Sequence, residues 1–532
     1  MAVWLVASTC GAQDTETRIR QLEQQLEALT RELNALKEQV QRDRVPPPPA
    51  APSARAATVP VPAPAEAVSP ALAGEKQAQP GETAEQVAAV QSRLDSGVPN
   101  VRLADGVRVE DPLGRWALRG TARAQFDYRD YPGESGVLAN TFSVRRARIG
   151  LGLSVGKWLT SFVEAELASG SGTQSGTASS STLWQAWVDF APLDTVHVRV
   201  GQFKPLFGLE DAMSSWWVDF QERSLAFNLM QNFLFDRGIM LYGTPGKGIV
   251  YSVAVTNGTG QNVDEFQRNS REARADGKDT TLRLVGNAAA WGDLPDWVMH
   301  FGGSYKFGEQ ANGSANAAGY TAASGQTEAR GITFFSPTSF NPGSANAAPA
   351  IDRVLGAVEA AVAYRSVKLQ GEWQQARYSG TLASGLQFDR RIDAGYLAAA
   401  WLVTGERFAD AYRDGVFGRI RPRSQFGLGP GSGWGALEVA LRYSFFDASD
   451  FTASNPPLTG GLGVSAAGVA PSVTQSTNKA AAGTFALKWV LTPYTALMAN
   501  YVYTRFDTPV IANGITLDAE QAVIMRAQFD FY

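Results

Sequence analysis

The sequence predicts an all-β fold, a 16-stranded antiparallel transmembrane β-barrel that follows an N-terminal coiled-coil helix and a Pro/Ala-rich linker. Two observations predict the barrel. From about residue 100, apolar and polar residues alternate at period two, as expected for strands with lipid on one side and water on the other. The connections between these segments are alternately tight and long, which is typical of outer-membrane barrels. No apolar run reaches the roughly 18–20 residues that a membrane-spanning helix needs.

Composition narrows the class of protein. The chain has 532 residues, a net charge of −4, two histidines and one cysteine. This charge balance argues against nucleic acid as a partner. His197 and His300 lie far apart in the sequence, so no metal site is expected, and neither a G-x-S-x-G nor an H-E-x-x-H motif is present. The sequence therefore predicts a protein that is not an enzyme and holds no cofactor.

Residues 1–12 are interpreted as the end of a signal peptide. The short apolar run Ala2–Ala7 precedes Cys10, and cleavage after Ala12 would leave the mature chain without a thiol. A chain without thiols suits an oxidising compartment. A lipid anchor on Cys10 is the alternative interpretation.

Residues 13–42 are predicted to form a coiled coil. Apolar residues recur there at spacings of three and four, the a/d pattern, over about three and a half heptads. An isolated helix of this length is marginal in water, so we expect it to self-associate. A helix lying on another domain is the alternative. The predicted seam consists of Ile19, Leu22, Leu26, Leu29, Leu33, Leu36 and Val40.

The remaining chain divides into a linker and the barrel domain. Residues 43–99 are rich in Pro and Ala and predict a semi-rigid polyproline linker. Residues 100–532 carry the predicted strands, and a soluble propeller is disfavoured because no blade-length repeat is found. One connection, 405–433, is long although it falls on the side of the tight turns. Strands are predicted near 114–128, 142–155, 158–168, 182–191, 194–204, 236–243, 248–257, 279–290, 297–308, 352–364, 366–378, 390–404, 434–447, 481–491, 494–506 and 519–532.

A loop of about thirty residues, 205–235, interrupts the strand pattern. Pro205 ends the preceding strand, since proline has no N–H to donate. Loops of this length in a compact fold are usually functional or disordered, and the many aromatic residues of this one argue against disorder. We expect it to fold into the lumen and narrow the pore. The predicted constriction residues are Asp189, Lys204, Trp216, Trp217, Arg223 and Arg237.

Strand parity also predicts which charges face the lumen. Fixed positive charge where water is scarce would favour anions, because charge interactions strengthen as the effective dielectric falls. The alternative is that these charges only pair across the lumen and brace it. The predicted pore-lining residues are Arg119, Arg123, Arg146, Arg148, Arg199, Glu164 and Glu166.

Several stretches resemble the phosphate-selective porin O/P family. The resemblance covers roughly residues 100–532 and is carried by FSVRRARIGLG (142–152), LWQAWVDFAPLDTVHVRVGQFKPLFGLEDAMSS (183–215), ERSLAF (222–227), DRGIMLYG (236–243), YLAAAWLVTGER (396–407) and GALEVALRYSFFD (435–447). It implies a trimeric 16-stranded outer-membrane porin whose inward arginines line the lumen, with lysines and an aspartate at the constriction.

The resemblance also assigns positions. Arg145 and Arg146 match the family's first arginine pair, whereas parity favours Arg146 and Arg148 as the lumen pair. Asp189 matches the aspartate and Lys204 matches one constriction lysine. A second lysine is expected just after Ser214-Ser215, but Trp216-Trp217 stands there.

We therefore expect a passive, water-filled channel for small solutes, with anions such as phosphate as the first candidates. It would be a homotrimer surrounded by lipid in the bacterial outer membrane, with its coiled coil in the periplasm. One alternative is a structural anchor whose coiled coil tethers the cell wall. Another is a porin for neutral solutes such as sugars, on which Trp216 and Trp217 could stack; the same indoles could instead anchor the loop. An outer-membrane lipase is the third alternative.

Overall fold

The barrel domain is described by a computed structural model. It covers residues 99–532 with the exception of 104–105, 134–135, 169–181, 194, 231–233, 259, 261–276, 312–322, 338–349, 382–384, 386 and 452–472. The predicted signal peptide and coiled coil lie outside these residues, as does the linker up to residue 98. The seam positions Ile19, Leu22, Leu26, Leu29, Leu33, Leu36 and Val40 are therefore also outside them.

Sixteen antiparallel strands form a closed barrel, as the sequence predicts. Each strand pairs with the next along the chain, and the last pairs back with the first, from Val523↔Asp130 to Phe531↔Ala122. The strands are β1 (Trp116–Asp130), β2 (Thr141–Val155), β3 (Leu159–Glu166), β4 (Thr182–Leu193), β5 (Val196–Phe203), β6 (Asp236–Gly246), β7 (Ile249–Thr256), β8 (Asp279–Asn287), β9 (Trp297–Ala311), β10 (Ala350–Tyr364), β11 (Val367–Thr381), β12 (Gln387–Leu402), β13 (Ala436–Asp447), β14 (Lys479–Thr492), β15 (Thr495–Ala512) and β16 (Ile515–Phe531).

The β15–β16 hairpin is longer than predicted. Its strands meet at Asn513-Gly514, where both residues have positive φ (49° and 76°). An Asn-Gly pair suits the two-residue turn whose twist matches a hairpin, so the signal was present in the sequence.

Short elements complete the described chain. The strands Asn100–Arg102 and Val107–Glu110 pair with each other, and the second also pairs with β1. Gly325–Gln326 pairs with Thr333–Phe335, Tyr412–Arg413 with Val416–Phe417, and Val473–Gln475 with β15. The helices are α1 (Leu209–Ala212), α2 (Ala288–Trp291), α3 (Phe408–Ala411) and a 3₁₀ turn at Leu225–Leu229. Within the described ranges, no helix has the length and apolar character needed to cross a membrane.

Alternation sorts the wall side chains into two faces. On β11, Lys368, Gln370 and Glu372 point inward and are buried, whereas Leu369 and Trp373 point outward and are exposed. Polar side chains inside and apolar side chains outside are the reverse of a soluble protein's arrangement, and this arrangement continues round the barrel. An apolar outer face suits lipid, in which a charge would cost roughly 2–4 kcal/mol at mid-bilayer.

Three segments fill much of the lumen. Inner loop 1 (204–230) and inner loop 2 (323–337) enter from the end with long connections. Inner loop 3 (403–435) starts from the end with tight turns; its first half enters the lumen, where Phe408 and Phe417 are buried, whereas Leu428 and Trp434 in its second half are exposed. Inner loop 1 contacts strands on several sides of the barrel: Leu209 N donates to Glu372 on β11 at 3.0 Å, and Gln528 on β16 donates to Trp216 O at 2.7 Å.

Candidate functional site

The candidate site is a cavity of about 160 Å³ where inner loops 1 and 2 meet β2 and β4. Side chains from these elements converge on it because β2 and β4 present polar residues inward and the two loops press against that face. Its basic lining residues are Arg145, Arg146, Arg148, Arg223 and Arg330, and its acidic lining residues are Glu222 and Glu328.

Glu222 on inner loop 1 is the carboxylate at the centre of this cluster. The five arginines around it form what we call the arginine cage: Arg129, Arg145, Arg146, Arg330 and Arg526. Glu222 Oε1 accepts hydrogen bonds from Arg145 Nε at 2.7 Å, Arg129 Nη2 at 2.8 Å and Arg526 Nη2 at 3.2 Å. The other two arginines place a nitrogen 3.9–4.0 Å from Glu222 Oε2.

The cage carries more positive than negative charge. Asp127 accepts hydrogen bonds from Arg526 and lies 3.2 Å from Arg129 Nη2, so it and Glu222 are the two carboxylates paired with the five arginines in the described structure. Burial alone would raise the pKa of Glu222, but the surrounding arginines, Arg145 foremost, hold it well below its usual range. Burial and the nearby Arg145 lower the pKa of Arg330 to about 10. Glu222 is therefore ionised, and the cage keeps an excess of positive charge.

A β-bulge explains how two consecutive arginines reach this site. The register of β1 and β2 passes from Gln125↔Arg146 to Phe126↔Val144, which leaves Arg145 without a partner position. The extra residue breaks the alternation, so Arg145, Arg146 and Arg148 are all buried on the inner face. Parity alone left Arg145 unplaced.

The other wall charges form ion pairs between strands. Arg148 Nε donates to Glu166 at 2.7 Å, and its guanidinium lies 3.6 Å from the Trp184 ring centre. Arg123 lies 3.0 Å from Asp530 Oδ1 and 4.0 Å from Glu164. These pairs brace the wall as well as charging it.

Lys204 and Arg223 both bind the end of α1. Lys204 Nζ donates to the carbonyl oxygens of Asp211 and Met213, the latter at 3.0 Å. Arg223 donates to the carbonyl oxygens of Glu210 and Met213, at 3.1 and 2.7 Å. Two cations thus satisfy backbone acceptors that a helix end leaves unpaired. Burial lowers the pKa of Lys204 to about 7.

The family model for phosphate-selective porin O and P matches residues 119–531. The chain belongs to this family. It is therefore an outer-membrane porin, a channel rather than an enzyme, and the family resemblance seen in the sequence is confirmed. A search of curated protein sequences gives no match.

Solved structures similar to this porin are other outer-membrane proteins. The anion-selective porin from Comamonas acidovorans is 13% identical, with 78% of this chain and 99% of that chain covered and a TM-score of 0.45. Pseudomonas putida OprB at high pH is 10% identical, with 84% of this chain and 97% of that chain covered and a TM-score of 0.44. OmpT of Vibrio cholerae is 9% identical, with 78% of this chain and 99% of that chain covered and a TM-score of 0.43.

The predicted constriction residues of this porin do not lie together. Asp189 belongs to a separate network in which it accepts from Arg199 Nε at 2.8 Å, from His197 at 3.0 Å and from the Tyr242 hydroxyl. Trp217 Nε1 donates to Asp530, and Trp216 is almost fully buried, at 2% exposure. The Trp217 indole is therefore bonded to the wall, and the Trp216 indole is enclosed by protein.

The predicted lumen position of Arg237 is corrected. The register pairs Arg237 with Gln202, two positions from Val200↔Ile239, whose side chains are exposed on the outer face. Residues two apart on a strand share a face, so Arg237 lies on the outer side of the wall.

Three arginines of the cage, and the carboxylate that they surround, were not predicted. Arg129 and Arg526 are inward by parity, so their strands carried the signal. Glu222 lies in a loop without periodicity, and its partners Arg145 and Arg129 are 77 and 93 residues away in sequence. Arg330, the fifth cage arginine, also lies in a loop. In the part of the chain that the structure describes, no group of three or more His, Cys, Asp or Glu could hold a metal ion.

Proposed function

We propose that this porin is a passive channel for small anions, phosphate among them, and that inner loop 1 forms its constriction. The observation that carries the proposal is the excess of positive charge in the arginine cage, beside a cavity lined by five arginines. Two unit charges 4 Å apart interact by about 4 kcal/mol at an effective dielectric near 20, against about 1 kcal/mol in bulk water. A desolvated anion is therefore favoured there over a cation.

Charged rings are one of the ways in which pores select ions. In this pore the lumen-facing arginines Arg119, Arg123, Arg146 and Arg148 follow β1 and β2, so the cage is continuous with a basic wall. Glu164, Glu166 and Asp189 neutralise part of that wall. The cage has the larger charge excess, which makes it our candidate for the selectivity site.

We further propose a homotrimer surrounded by outer-membrane lipid, with the coiled coil in the periplasm. The a/d seam of residues 13–42 supports self-association, and the family resemblance implies a trimer. A cell-wall contact through the coiled coil is compatible with channel function.

The test is a reversal-potential measurement on purified porin in a planar bilayer with a KCl gradient. An anion channel gives a reversal potential that is shifted from zero toward the equilibrium potential of chloride. A shift toward the equilibrium potential of potassium would contradict the proposal. A neutral-solute porin would give a value near zero and take up sugars in a liposome-swelling assay.

A further inference from the structure

We infer that Glu222 is a built-in counter-anion that occupies the arginine cage and thereby keeps the binding of permeating oxyanions weak. This inference rests on the proposed anion-channel function. Glu222, an acidic residue of inner loop 1, thus sets the balance between binding of a permeating anion and its release.

The first support is the position of the carboxylate. Glu222 offers two oxygens to five guanidinium groups, with Arg145 bound through both Nε and Nη2 at 2.7 and 3.2 Å. Paired N–H donors of this kind are the groups that recognise phosphate and sulfate in proteins. The carboxylate therefore stands where an oxyanion would accept the same hydrogen bonds.

The second support is that other carboxylates nearby are bound elsewhere. Glu328 accepts from Arg442 at 2.6 Å, from Ser444 and from Thr484. Glu210 accepts from Ser224 and lies 3.1 Å from Arg442. Neither carboxylate is paired with the cage in the described structure, so Glu222 is the loop carboxylate that compensates Arg145, Arg146 and Arg330.

The third support is room for a ligand beside the carboxylate. The adjoining cavity of about 160 Å³ is several times what one water needs and admits a small oxyanion. Arg146, Arg148 and Arg330 line it together with Ser215 and Thr327. An anion in this cavity competes with Glu222 for shared arginines.

The functional consequence follows from the requirements of conduction. Ions must bind well enough to enter a filter and weakly enough to leave it. Without Glu222, the five arginines and Asp127 would leave a charge excess of four, which would hold a multivalent oxyanion and block the pore. A tethered carboxylate lowers that excess without blocking the path, because its chain fixes it to the loop.

The experiment measures block of chloride current by inorganic phosphate in planar bilayers with the full-length trimeric porin. In Glu222→Gln the half-blocking phosphate concentration should fall by about tenfold or more, because a negative charge near the ligand is removed, and the anion-over-cation permeability ratio should rise. Glu309→Gln makes the same change at an exposed, outward position on β9 and should leave both values unchanged.

A charge-compensated double variant provides a second test. Arg145→Gln combined with Glu222→Gln restores the net charge and should return the half-blocking concentration toward that of the wild type. Should Glu222→Gln fail to insert, Arg330→Gln tests the same balance in the opposite sense, since removing a cage cation should weaken the block several-fold.

Two outcomes overturn the inference. One is an inserted Glu222→Gln porin whose half-blocking concentration stays within about twofold of the wild type. The other is a variant with higher conductance and weaker block, which would mean that Glu222 only anchors the loop. If Arg330→Gln is the only variant that inserts, a half-blocking phosphate concentration equal to that of the wild type also overturns the inference. A cation-selective wild-type channel would instead refute the proposed function.

Discussion

The indole N–H of Trp217 donates to Asp530 Oδ2 at 2.9 Å. Arg419 of inner loop 3 donates to the same oxygen, also at 2.9 Å. Asp530 on β16 therefore joins two loops that enter the lumen from opposite ends. The Arg419 guanidinium also lies 5.7 Å from the centre of the Trp217 ring.

Replacing Trp217 by Phe should raise the single-channel conductance. The ring is retained but the hydrogen bond is lost, at a cost of about 1 kcal/mol, so inner loop 1 is held less firmly to β16. Trp401→Phe, at an outward and half-exposed position on β12, is the control. Unchanged conductance in Trp217→Phe would show that this bond does not hold the constriction.

Selectivity should depend on pH through Lys204. Burial lowers its pKa from 10.5 to about 7, so the ammonium is charged at pH 6 and largely neutral at pH 8. The anion-over-cation permeability ratio of the wild type should therefore fall between pH 6 and pH 8. Reversal potentials at the two pH values, in wild type and in Lys204→Met, measure this.

The pH prediction needs a control for histidine. His197 faces the lumen beside Asp189, and histidine is the residue type that most often responds to pH in this range, so His197→Gln is measured in parallel. A pH effect that survives in Lys204→Met and disappears in His197→Gln would assign it to His197 instead. Lys204→Ala with Arg223→Ala should lower the ratio at both pH values, whereas Lys278→Ala, outside the lumen loops, should not.

The strands could be predicted because their signal is local. Alternation identified all sixteen, and it placed Arg119, Arg123, Arg199 and Glu164 on the face where the structure has them. Arg145 could not be placed, since a bulge is defined by the register with β1 and not by the sequence of β2. Arg237 could have been placed, because it lies two residues before outward Ile239.

The loops could not be predicted to the same depth. Glu222 meets its arginines through long-range contacts that leave no periodic pattern in the sequence. Tyr532, one residue beyond the strand ending at Phe531, is another example: its ring lies 3.4 Å from the Arg123 guanidinium and 4.4 Å from that of Arg119. The side chain belongs to the lumen and not to the outer aromatic face.

Deleting residues 13–99 should leave single-channel conductance unchanged. The Pro/Ala-rich linker has the composition of a semi-rigid spacer, so we expect the coiled coil to be mechanically separate from the pore. Loss of conductance in a correctly inserted deletion variant would show that the channel depends on the coiled coil.

The full-length chain should migrate as a heat-modifiable trimer in detergent, and light scattering checks its mass. A monomeric mass would exclude the trimer.

Replacing Gly208 by Ala should lift inner loop 1 away from β11. Gly208 has a φ of +62°, which an L-residue tolerates poorly. A Cβ there would also overlap the carboxylate of Glu372, which accepts hydrogen bonds from the N–H groups of Leu209 and Glu210, both at 3.0 Å. The variant must move either the loop or Glu372, and both moves break these bonds.

The matched control is Gly514→Ala in the β15–β16 turn. Gly514 also has a positive φ, of 76°, but a Cβ there has no neighbour within 4 Å. Its cost should be limited to the backbone strain of about 1–2 kcal/mol. We expect Gly208→Ala to lower the trimer's thermal-dissociation temperature more than Gly514→Ala and, unlike it, to raise conductance. Equal effects of the two variants would mean that the contact between Gly208 and Glu372 does not hold the loop in place.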